Sequence, residues 1–370
     1  MIQAALLREV GTSPEVVSVD LQAPGPGQVQ VRVKAAGLCQ SDLSVIYGKI
    51  PQLTPLILGH EGAGVVEQVG EGVTGFQVGE HVIFNWVPSC GHCWYCEHER
   101  TDLCEEAFMQ MTLGTQTDGS TPFALQGEEV YQFSQTSCFA EQTVVPENAL
   151  VKIDRDLPFE VAAVMGCAVL TGFGAVKHTA QVTPGSTVAV IGCGGVGLNV
   201  IQTAKLMGAT TIIAMDRTEQ KLQDARDFGA THTLNPLHTP DLIGATLDLT
   251  DQLGVDFAFE VVGRPETIQQ AYGLARKGGK VIVVGVASPD QEVTFNAFAL
   301  PAESKVITGS WYGQARMEED IPEITRLYQE GKLKLQELIS HRYPLEQLHE
   351  AIHTLEAGEA RRIILLPGGV

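Results

Sequence analysis

The sequence predicts an α/β chain in which a β-rich part is joined to a doubly wound parallel sheet. Three observations among its 370 residues lead to this prediction. Short alternating strands separated by glycine turns fill the first stretch, strands alternate with helices from roughly Thr171, and a glycine-rich turn joins the first of those strands to its helix. At about 150 residues per domain, the length also fits two domains.

The β-rich part opens with a strand whose apolar residues alternate. Val29, Val31 and Val33 alternate with polar residues over 28–35, after a turn of proline and glycine. Short apolar runs at 65–69 and 81–84 continue the same pattern. The stretch 112–137 is rich in Thr, Gly, Gln and Ser, and we interpret it as a surface excursion.

The second part alternates strands with helices, which is typical of a parallel sheet. Strands are predicted at 187–191, 210–215, 256–262 and 280–286, and helices near 196–208, 218–228, 240–253 and 266–276. The last stretch predicts a strand at 305–310 and a helix near 318–331, and it closes on two arginines and an apolar run at 361–366.

Composition limits the classes of partner. The formal charge of -20 repels phosphate backbones and opposes nucleic-acid or anionic membrane partners. The most apolar run, 187–201, is too short to span a bilayer. The N-terminal stretch lacks a basic region followed by a long apolar core, so we expect no signal peptide and a cytoplasmic location.

A strand, a glycine turn and a helix follow one another at 187–206, which is typical of a dinucleotide-binding site. Gly192 permits the tight turn, Gly194 lets a pyrophosphate approach the backbone, and Gly197 lets the helix pack on the strand. Asp216 ends the next strand, about 20 residues downstream, where a carboxylate binds the ribose hydroxyls of NAD and repels the extra phosphate of NADP. Arg217 beside it leaves the strictness of that preference open.

Four cysteines within fifteen residues predict a structural zinc site in the lobe 90–104: Cys90, Cys93, Cys96 and Cys104. Eight cysteines in the whole chain are too sparse for a disulfide scaffold. The alternative to a metal site is that these cysteines are simply buried or disulfide-bonded. A zinc ribbon for nucleic acid is opposed by the acidic charge.

Cys39, His60 and Cys167 form a second candidate ligand set. Each alone is typical of the core, because a lone buried cysteine or hydrogen-bonded histidine is common. Together they offer two thiols and an imidazole, which suits a catalytic zinc with one open position.

Several motifs together resemble the zinc-containing medium-chain alcohol dehydrogenases, in the branch of the liver-type and glutathione-dependent formaldehyde enzymes. The similar segments cover nearly the whole chain: 39–42, 59–64 with Gly70 and Val73, the cysteine lobe 90–104, 166–172, 192–197 and 260–264. The resemblance implies a GroES-like catalytic domain at 1–168 and 310–370 and a Rossmann NAD-binding domain at 169–309. It further implies a homodimer paired through the strand at 305–310, with a homotetramer as the alternative.

The resemblance also implies roles around the catalytic zinc, whose ligands would be Cys39, His60 and Cys167. Ser41 would relay the alcohol proton, Asp42 would orient His60, and Glu61 would approach the metal during ligand exchange. Liver-type enzymes often end the relay with a histidine where this chain has Ser44, so the end of the path stays open. Two zinc ions per chain and NAD are the implied cofactors.

On the cofactor side, the resemblance implies a set of contacts to NAD. Besides Gly192, Gly194 and Gly197 of the turn, these are Gly195, Val196, Thr171, Asp216, Lys221, Arg264, Val284, Val286 and Arg362.

The implied substrate pocket is apolar and aromatic: Ile50, Trp86, Phe108, Met109, Phe133 and Trp311. The glutathione-dependent branch has an acidic residue and an arginine where this chain has Ile50 and Phe108, which disfavours glutathione adducts. Ordinary core packing is the alternative reading of these aromatic side chains. A wide apolar pocket favours aromatic or medium-chain primary alcohols.

The sequence therefore predicts an NAD- and zinc-dependent alcohol dehydrogenase that interconverts a primary alcohol and its aldehyde. A thiol-adduct (formaldehyde-type) or polyol dehydrogenase on the same fold is the alternative among enzymes. From other classes, a non-catalytic NAD- and zinc-binding relative should have lost its ligands, and a nucleic-acid binder is opposed by the charge.

Overall fold

The computed structural model describes residues 1–369, which form two compact units. The first unit comprises Met1–Cys167, Arg316–Arg326 and the chain from Leu335 onward. The second comprises Ala168–Ala315 and Leu327–Lys334. The predicted boundaries are 168/169 and 309/310, so residues 310–315 and 327–334, which were predicted in the catalytic domain, belong to the second unit.

The strands in chain order are β1 (Ile2–Leu7), β2 (Glu15–Leu21), β3 (Gln28–Leu38), β4 (Leu56–Ile57), β5 (Glu61–Val69), β6 (His81–Phe84), β7 (Phe123–Leu125), β8 (Glu128–Gln132), β9 (Gln142–Pro146), β10 (Leu150–Lys152), β11 (Thr187–Ile191), β12 (Thr211–Met215), β13 (His232–Leu234), β14 (Val255–Glu260), β15 (Ala275–Val283), β16 (Val306–Gly309), β17 (Ile339–Pro344) and β18 (Arg362–Leu366).

The α-helices are α1 (Gln40–Ile46), α2 (Trp94–Glu97), α3 (Glu105–Leu113), α4 (Phe159–Val164), α5 (Leu170–Gly174), α6 (Gly195–Leu206), α7 (Glu219–Phe228), α8 (Leu242–Asp248), α9 (Pro265–Leu274), α10 (Ala299–Glu303), α11 (Met317–Gln329) and α12 (Leu348–Glu356).

The first unit is β-rich, as predicted. Strands β1, β2, β7, β8 and β4 close a barrel, and a seven-stranded sheet runs β10-β6-β5-β3-β18-β17, with β9 paired to β3. The closing strand β18 pairs with β3 in antiparallel fashion, so the C-terminal stretch returns to the N-terminal sheet. The long alternating strand β3 buries Val29, Val31 and Val33 completely, which explains its period of two.

The interpretation of 112–137 as a surface excursion is wrong. Strands β7 and β8 in this stretch belong to the barrel, and Gln116 and Gln132 are buried. Gln116 Nε2 donates to Gln132 Oε1 at 3.2 Å and to the Val144 carbonyl at 2.8 Å. Because these amides satisfy one another, a polar stretch can lie inside the unit.

A helical stretch of 22 residues, Phe159–Ala180, was not predicted. It contains α4, a π-helical turn at Met165–Val169, α5 and a second π-helical turn at Ala175–Ala180. By length and composition alone it could cross a membrane, but 89% of its most apolar window is buried, as in the core helix of a globular protein. Single π turns inside α-helices are frequent at functional sites.

The second unit confirms the doubly wound parallel sheet. Its six strands run β13-β12-β11-β14-β15-β16, and every neighbouring pair is parallel. The order reverses between β11 and β14, which is where such sheets bind ligands beyond the carboxyl ends of the strands. Helix α8 ends at Asp248, earlier than predicted, because Asp251 and Gln252 adopt left-handed backbone conformations.

Candidate active site

Four buried side chains with metal-binding atoms meet in the first unit: Cys39, His60, Glu61 and Cys167. One ligand atom from each lies within 4.8 Å of the others. Cys39 directly precedes α1, His60 directly precedes β5, and Cys167 lies in the first π-helical turn. Residues far apart in the sequence are therefore brought together by the β-rich sheet and the unpredicted helix.

A single buried carboxylate, Asp42, contacts two of these residues. Its Oδ2 accepts the Cys39 backbone N–H at 2.9 Å, and its Oδ1 lies 3.2 Å from His60 Nδ1. Because a carboxylate only accepts, His60 Nδ1 carries the hydrogen and Nε2 is left as the ligand atom. His60 Nε2 is buried and has no hydrogen-bond partner among residues 1–369.

The two thiols of the cluster differ in acidity. A hydrogen bond from Cys167 lowers the pKa of Cys39 well below its usual value, and the same contact raises the pKa of Cys167. Burial alone would lower the pKa of His60, but Asp42 and Cys39 raise it well above its usual value. Cys39 and His60 therefore raise and lower each other's pKa through direct contact, and thiolates together with an imidazole are ligand types that zinc binds.

Glu61 and Arg362 form an ion pair beside the cluster, and both side chains are buried. Burial raises the pKa of Glu61 to about 8, against the opposing effect of the Arg362 charge. The second carboxylate oxygen, Glu61 Oε2, has no hydrogen-bond partner within 1–369. Arg362, which was predicted as a cofactor contact, is paired with Glu61 in the first unit.

The donor set fits zinc. Two thiols and one imidazole are common ligands of catalytic zinc, and a buried imidazole nitrogen without a partner is the observation expected at a metal site. Ser41 Oγ lies 3.8 Å from Cys39 Sγ and is half-buried at the start of α1. A hydroxyl therefore stands directly beside the ligand cluster.

Two of the predicted pocket residues pack edge-on against His60. The ring centroid of Phe133 lies 5.3 Å from that of His60, and the centroid of Trp86 lies 6.0 Å away. Of the other predicted pocket residues, Ile50 and Phe108 are half-buried in the first unit, Met109 on α3 is 55% exposed, and Trp311 belongs to the second unit.

The four lobe cysteines also converge, with their sulfur atoms all within 4.8 Å. Cys93 Sγ lies 3.5 Å from Cys96 Sγ, and Cys90 Sγ lies 3.9 Å from Cys96 Sγ. Zinc–sulfur bonds of about 2.3 Å in a tetrahedron place sulfur atoms roughly 3.8 Å apart. The backbone N–H groups of Cys93 and Cys90 donate to the sulfurs of Cys90 and Cys104, both at 3.3 Å. All eight cysteines are free thiols, so this cluster fits a closed zinc site and contains no disulfide.

The glycine turn of the second unit has the geometry of a phosphate site. Gly192 has φ +98°, which favours glycine, and a Cβ at Gly197 would overlap the Gly192 carbonyl oxygen. A Cβ at Gly194 would meet nothing within 4 Å. The space over Gly194, at the N-terminal end of α6, is therefore open to a pyrophosphate.

Asp216 follows β12 and is fixed by backbone groups. Its Oδ2 accepts the Cys193 N–H at 2.9 Å, and its Oδ1 accepts the Thr218 N–H at 3.0 Å. Its carboxylate thus stands at the carboxyl edge of the sheet, next to the glycine turn. The remaining predicted cofactor residues of the second unit are half-buried or exposed, except for buried Gly195 and Thr171: Val196, Lys221, Arg264, Val284 and Val286.

Glu260 is a buried carboxylate to which the sequence analysis assigned no role. Its Oε1 accepts the N–H groups of Val262 and Gly263 at 2.9 and 2.8 Å and the Thr267 hydroxyl at 2.7 Å. Glu260 therefore fixes the loop that leads to Arg264. A glutamate directly after the apolar run 257–259 was the available signal.

Comparison with known protein families gives two matches along the chain. Residues 25–155 match the alcohol dehydrogenase GroES-like domain, and residues 195–330 match the zinc-binding dehydrogenase domain. The first match lies within the β-rich unit and the second covers most of the parallel sheet.

Individual relatives match over the full length. The chain is 36% identical to alcohol dehydrogenase class-3 of Dictyostelium discoideum, covering 98% of this chain and 97% of that protein. It is 37% identical to S-(hydroxymethyl)glutathione dehydrogenase of Paracoccus denitrificans, covering 98% and 99%. The crystal structure of benzyl alcohol dehydrogenase from Acinetobacter calcoaceticus is similar with a TM-score of 0.93 and 34% identity, covering 99% of each chain.

Proposed function

This chain belongs to the zinc-containing alcohol dehydrogenase family, and from that premise we propose that it reversibly oxidises primary alcohols, aromatic or of medium chain length, to aldehydes with NAD+. Family membership makes the protein an oxidoreductase. One observation carries the proposal: Cys39, His60 and Cys167 converge with a buried His60 Nε2 that has no partner among residues 1–369. A non-catalytic relative would have no reason to keep this set of ligands.

We assign separate roles to the residues of the first unit that surround the candidate zinc site. When bound, zinc supplies a Lewis acid that lowers the pKa of the alcohol hydroxyl, and NAD+ supplies the hydride acceptor. Asp42 keeps His60 in the tautomer that offers Nε2. Ser41 accepts the hydroxyl proton at Oγ and passes its own proton on. Ser44 lies three residues along α1, on the same helix side, and would be the next group in the path.

The preference for apolar alcohols rests on the side chains near His60. Phe133 and Trp86 present aromatic edges there, and neither Ile50 nor Phe108 can pair with the charged ends of glutathione. Apolar walls favour substrates that bury apolar area, so benzylic and medium-chain alcohols should exceed ethanol and polyols. The similarity to a benzyl alcohol dehydrogenase supports the same substrate class.

A second candidate, oxidation of a thiol adduct of formaldehyde, is favoured by the similarity to S-(hydroxymethyl)glutathione dehydrogenase. A rate comparison separates the two functions. We expect kcat/KM for benzyl alcohol and hexanol to exceed that for sorbitol and for formaldehyde with glutathione by about a hundredfold or more, since each buried methylene contributes about 0.8 kcal/mol. A glutathione adduct that is oxidised faster than benzyl alcohol would contradict the proposed substrate class.

We further propose two zinc ions per chain, NAD rather than NADP, and a homodimer in a reducing, cytoplasmic compartment. The two convergent clusters support the zinc count, and eight free thiols support the compartment. The edge strand β16, with Val306 47% exposed, supports pairing between chains, with a homotetramer as the alternative.

The NAD preference is tested at Asp216. Asp216→Ser removes the carboxylate that accepts hydrogen bonds from the ribose hydroxyls of NAD and repels the extra phosphate of NADP. We therefore expect the ratio of kcat/KM for NAD to kcat/KM for NADP to fall by about tenfold to a hundredfold. Initial rates with each cofactor measure this ratio. Asp227→Asn, on the exposed end of α7, is the matched control and should leave the ratio unchanged. An unaltered ratio in Asp216→Ser would remove Asp216 from the cofactor site.

A further inference from the structure

The segment 133–139, which we term the brace, has an unusual backbone. Ser134, Gln135 and Ser137 have φ values of 51°, 57° and 47°, although none is glycine. All three are buried. Left-handed conformations of such residues are disfavoured, and they persist where surrounding contacts determine them.

Those contacts go to the backbone on the N-terminal side of His60. The Ser137 hydroxyl donates to the Ile57 carbonyl at 2.7 Å. The backbone N–H of Phe139 donates to the Leu58 carbonyl at 3.0 Å. The brace therefore holds two successive carbonyls of the segment that leads to His60.

The contacts continue on both sides of His60. The Gly59 carbonyl accepts the Cys138 N–H at 3.0 Å and the Thr136 hydroxyl at 3.1 Å. The Cys138 thiol donates to the Glu61 carbonyl at 3.1 Å. The residues before and after His60 are thus both bonded to the same short run of chain.

The other end of the brace carries Phe133, whose ring lies edge-on to His60. The Phe133 N–H donates to Ser137 Oγ at 2.8 Å. The single hydroxyl hydrogen of Thr136 is shared between the Gly59 carbonyl and the Phe133 carbonyl, which lies 3.0 Å from Thr136 Oγ1. The hydroxyls of Thr136 and Ser137 therefore link the backbone of Phe133 to the backbone beside His60. Both hydroxyl residues are fully buried, so water does not compete for these bonds.

We propose that Thr136 and Ser137 are positioning residues, which set the location of His60 and of the Phe133 ring through the brace. Asp42 fixes the rotation of the His60 ring, whereas the brace fixes the backbone that carries it. The left-handed backbone conformations in the brace cost conformational free energy, and they allow two hydroxyls to reach the carbonyls beside His60. The inference rests on the proposed function, because it takes His60 as a metal ligand.

Thr136 offers a matched pair of variants, because its φ of -118° suits any residue. Thr136→Val removes the hydroxyl at nearly constant shape, and Thr136→Ser keeps it. Cobalt(II) loaded in place of zinc reports ligand geometry through its visible absorption. In Thr136→Val we expect a shifted cobalt spectrum and a dissociation constant of cobalt at the Cys39, His60 and Cys167 cluster raised about tenfold. In Thr136→Ser the same dissociation constant should stay within about twofold of that of the unaltered chain.

Ser137→Gly provides a second variant if Thr136→Val fails to fold, because glycine accepts φ 47° and only the hydroxymethyl group is lost. It should show the same spectral shift. A cobalt spectrum and affinity equal to those of the unaltered chain in Thr136→Val or Ser137→Gly would overturn the positioning role and leave the metal site standing. Cobalt bound at the catalytic cluster is the part of the binding that Cys39→Ala abolishes. If the unaltered chain showed no such binding, the proposed function would be wrong, and this inference would be wrong with it.

Discussion

A Cys39→Ala variant is expected to lose turnover by about three orders of magnitude or more, since a catalytic metal contributes several kcal/mol to transition-state stabilisation. Binding of NADH should persist, because the glycine turn and Asp216 lie in the second unit, whereas Cys39 lies in the first. The variant should therefore separate cofactor binding from chemistry.

Three measurements test this result on the same preparation: kcat at saturating alcohol, NADH affinity by fluorescence titration, and zinc content per chain. We expect zinc to fall from two to one in Cys39→Ala, with the lobe cluster still filled. Cys104→Ala is the matched control, because it removes a buried thiol from the other cluster. It should lose the lobe zinc and thermal stability while any folded protein keeps the catalytic metal. Near-normal turnover in Cys39→Ala would refute the ligand assignment.

The features that the sequence predicted well are those defined by short-range spacing. The lobe cysteines lie within fifteen residues, and the strand Thr187–Ile191 runs directly into its glycine turn, so neither needs tertiary information. The alternation of strands and helices likewise predicted the parallel sheet, because its period is local. Family resemblance pointed to the candidate ligands that are distant in sequence, whereas spacing alone offered only three separate residues.

The features that the sequence could not show depend on partners distant in the chain. Glu61 and Arg362 are separated by 301 positions, and neither residue type reveals its partner. The polar stretch 112–137 resembles a surface segment, because a buried amide can be predicted only when its hydrogen-bond partners are known. For Gln116 these partners are Gln132 and the Val144 carbonyl. The contacts of the brace are unpredictable from the sequence for the same reason, since its hydroxyls bond to carbonyls about 80 positions upstream.

Asp42 makes both a contact that is local in the sequence and a contact that is distant in the sequence. Its bond to the Cys39 N–H is a local capping contact, three positions apart, while its contact with His60 spans the fold. The same carboxylate therefore stabilises the start of α1 and sets the His60 tautomer. A local helix signal in the sequence is here also part of the site.

The glycine turn provides the second large expected effect, through Gly194→Ala. Because a Cβ there meets nothing within 4 Å and Gly194 has φ -78°, the substitution should leave the free energy of unfolding within about 0.5 kcal/mol. The added methyl group would occupy the space that the pyrophosphate needs. NADH affinity should therefore fall by about tenfold or more, since lost charge-assisted hydrogen bonds contribute about 1.5–3 kcal/mol each.

Gly197→Ala is the matched contrast, because there the added Cβ would overlap the Gly192 carbonyl and the backbone itself must shift. We expect both NADH affinity and stability to fall, the latter by about 1–3 kcal/mol or more. Thermal unfolding and NADH titration of the two variants distinguish the causes, since only Gly194→Ala should lose affinity at constant stability. If Gly194→Ala bound NADH like the unaltered chain, the open space over that residue could not be the approach of the phosphates, and the assignment of the turn would be wrong.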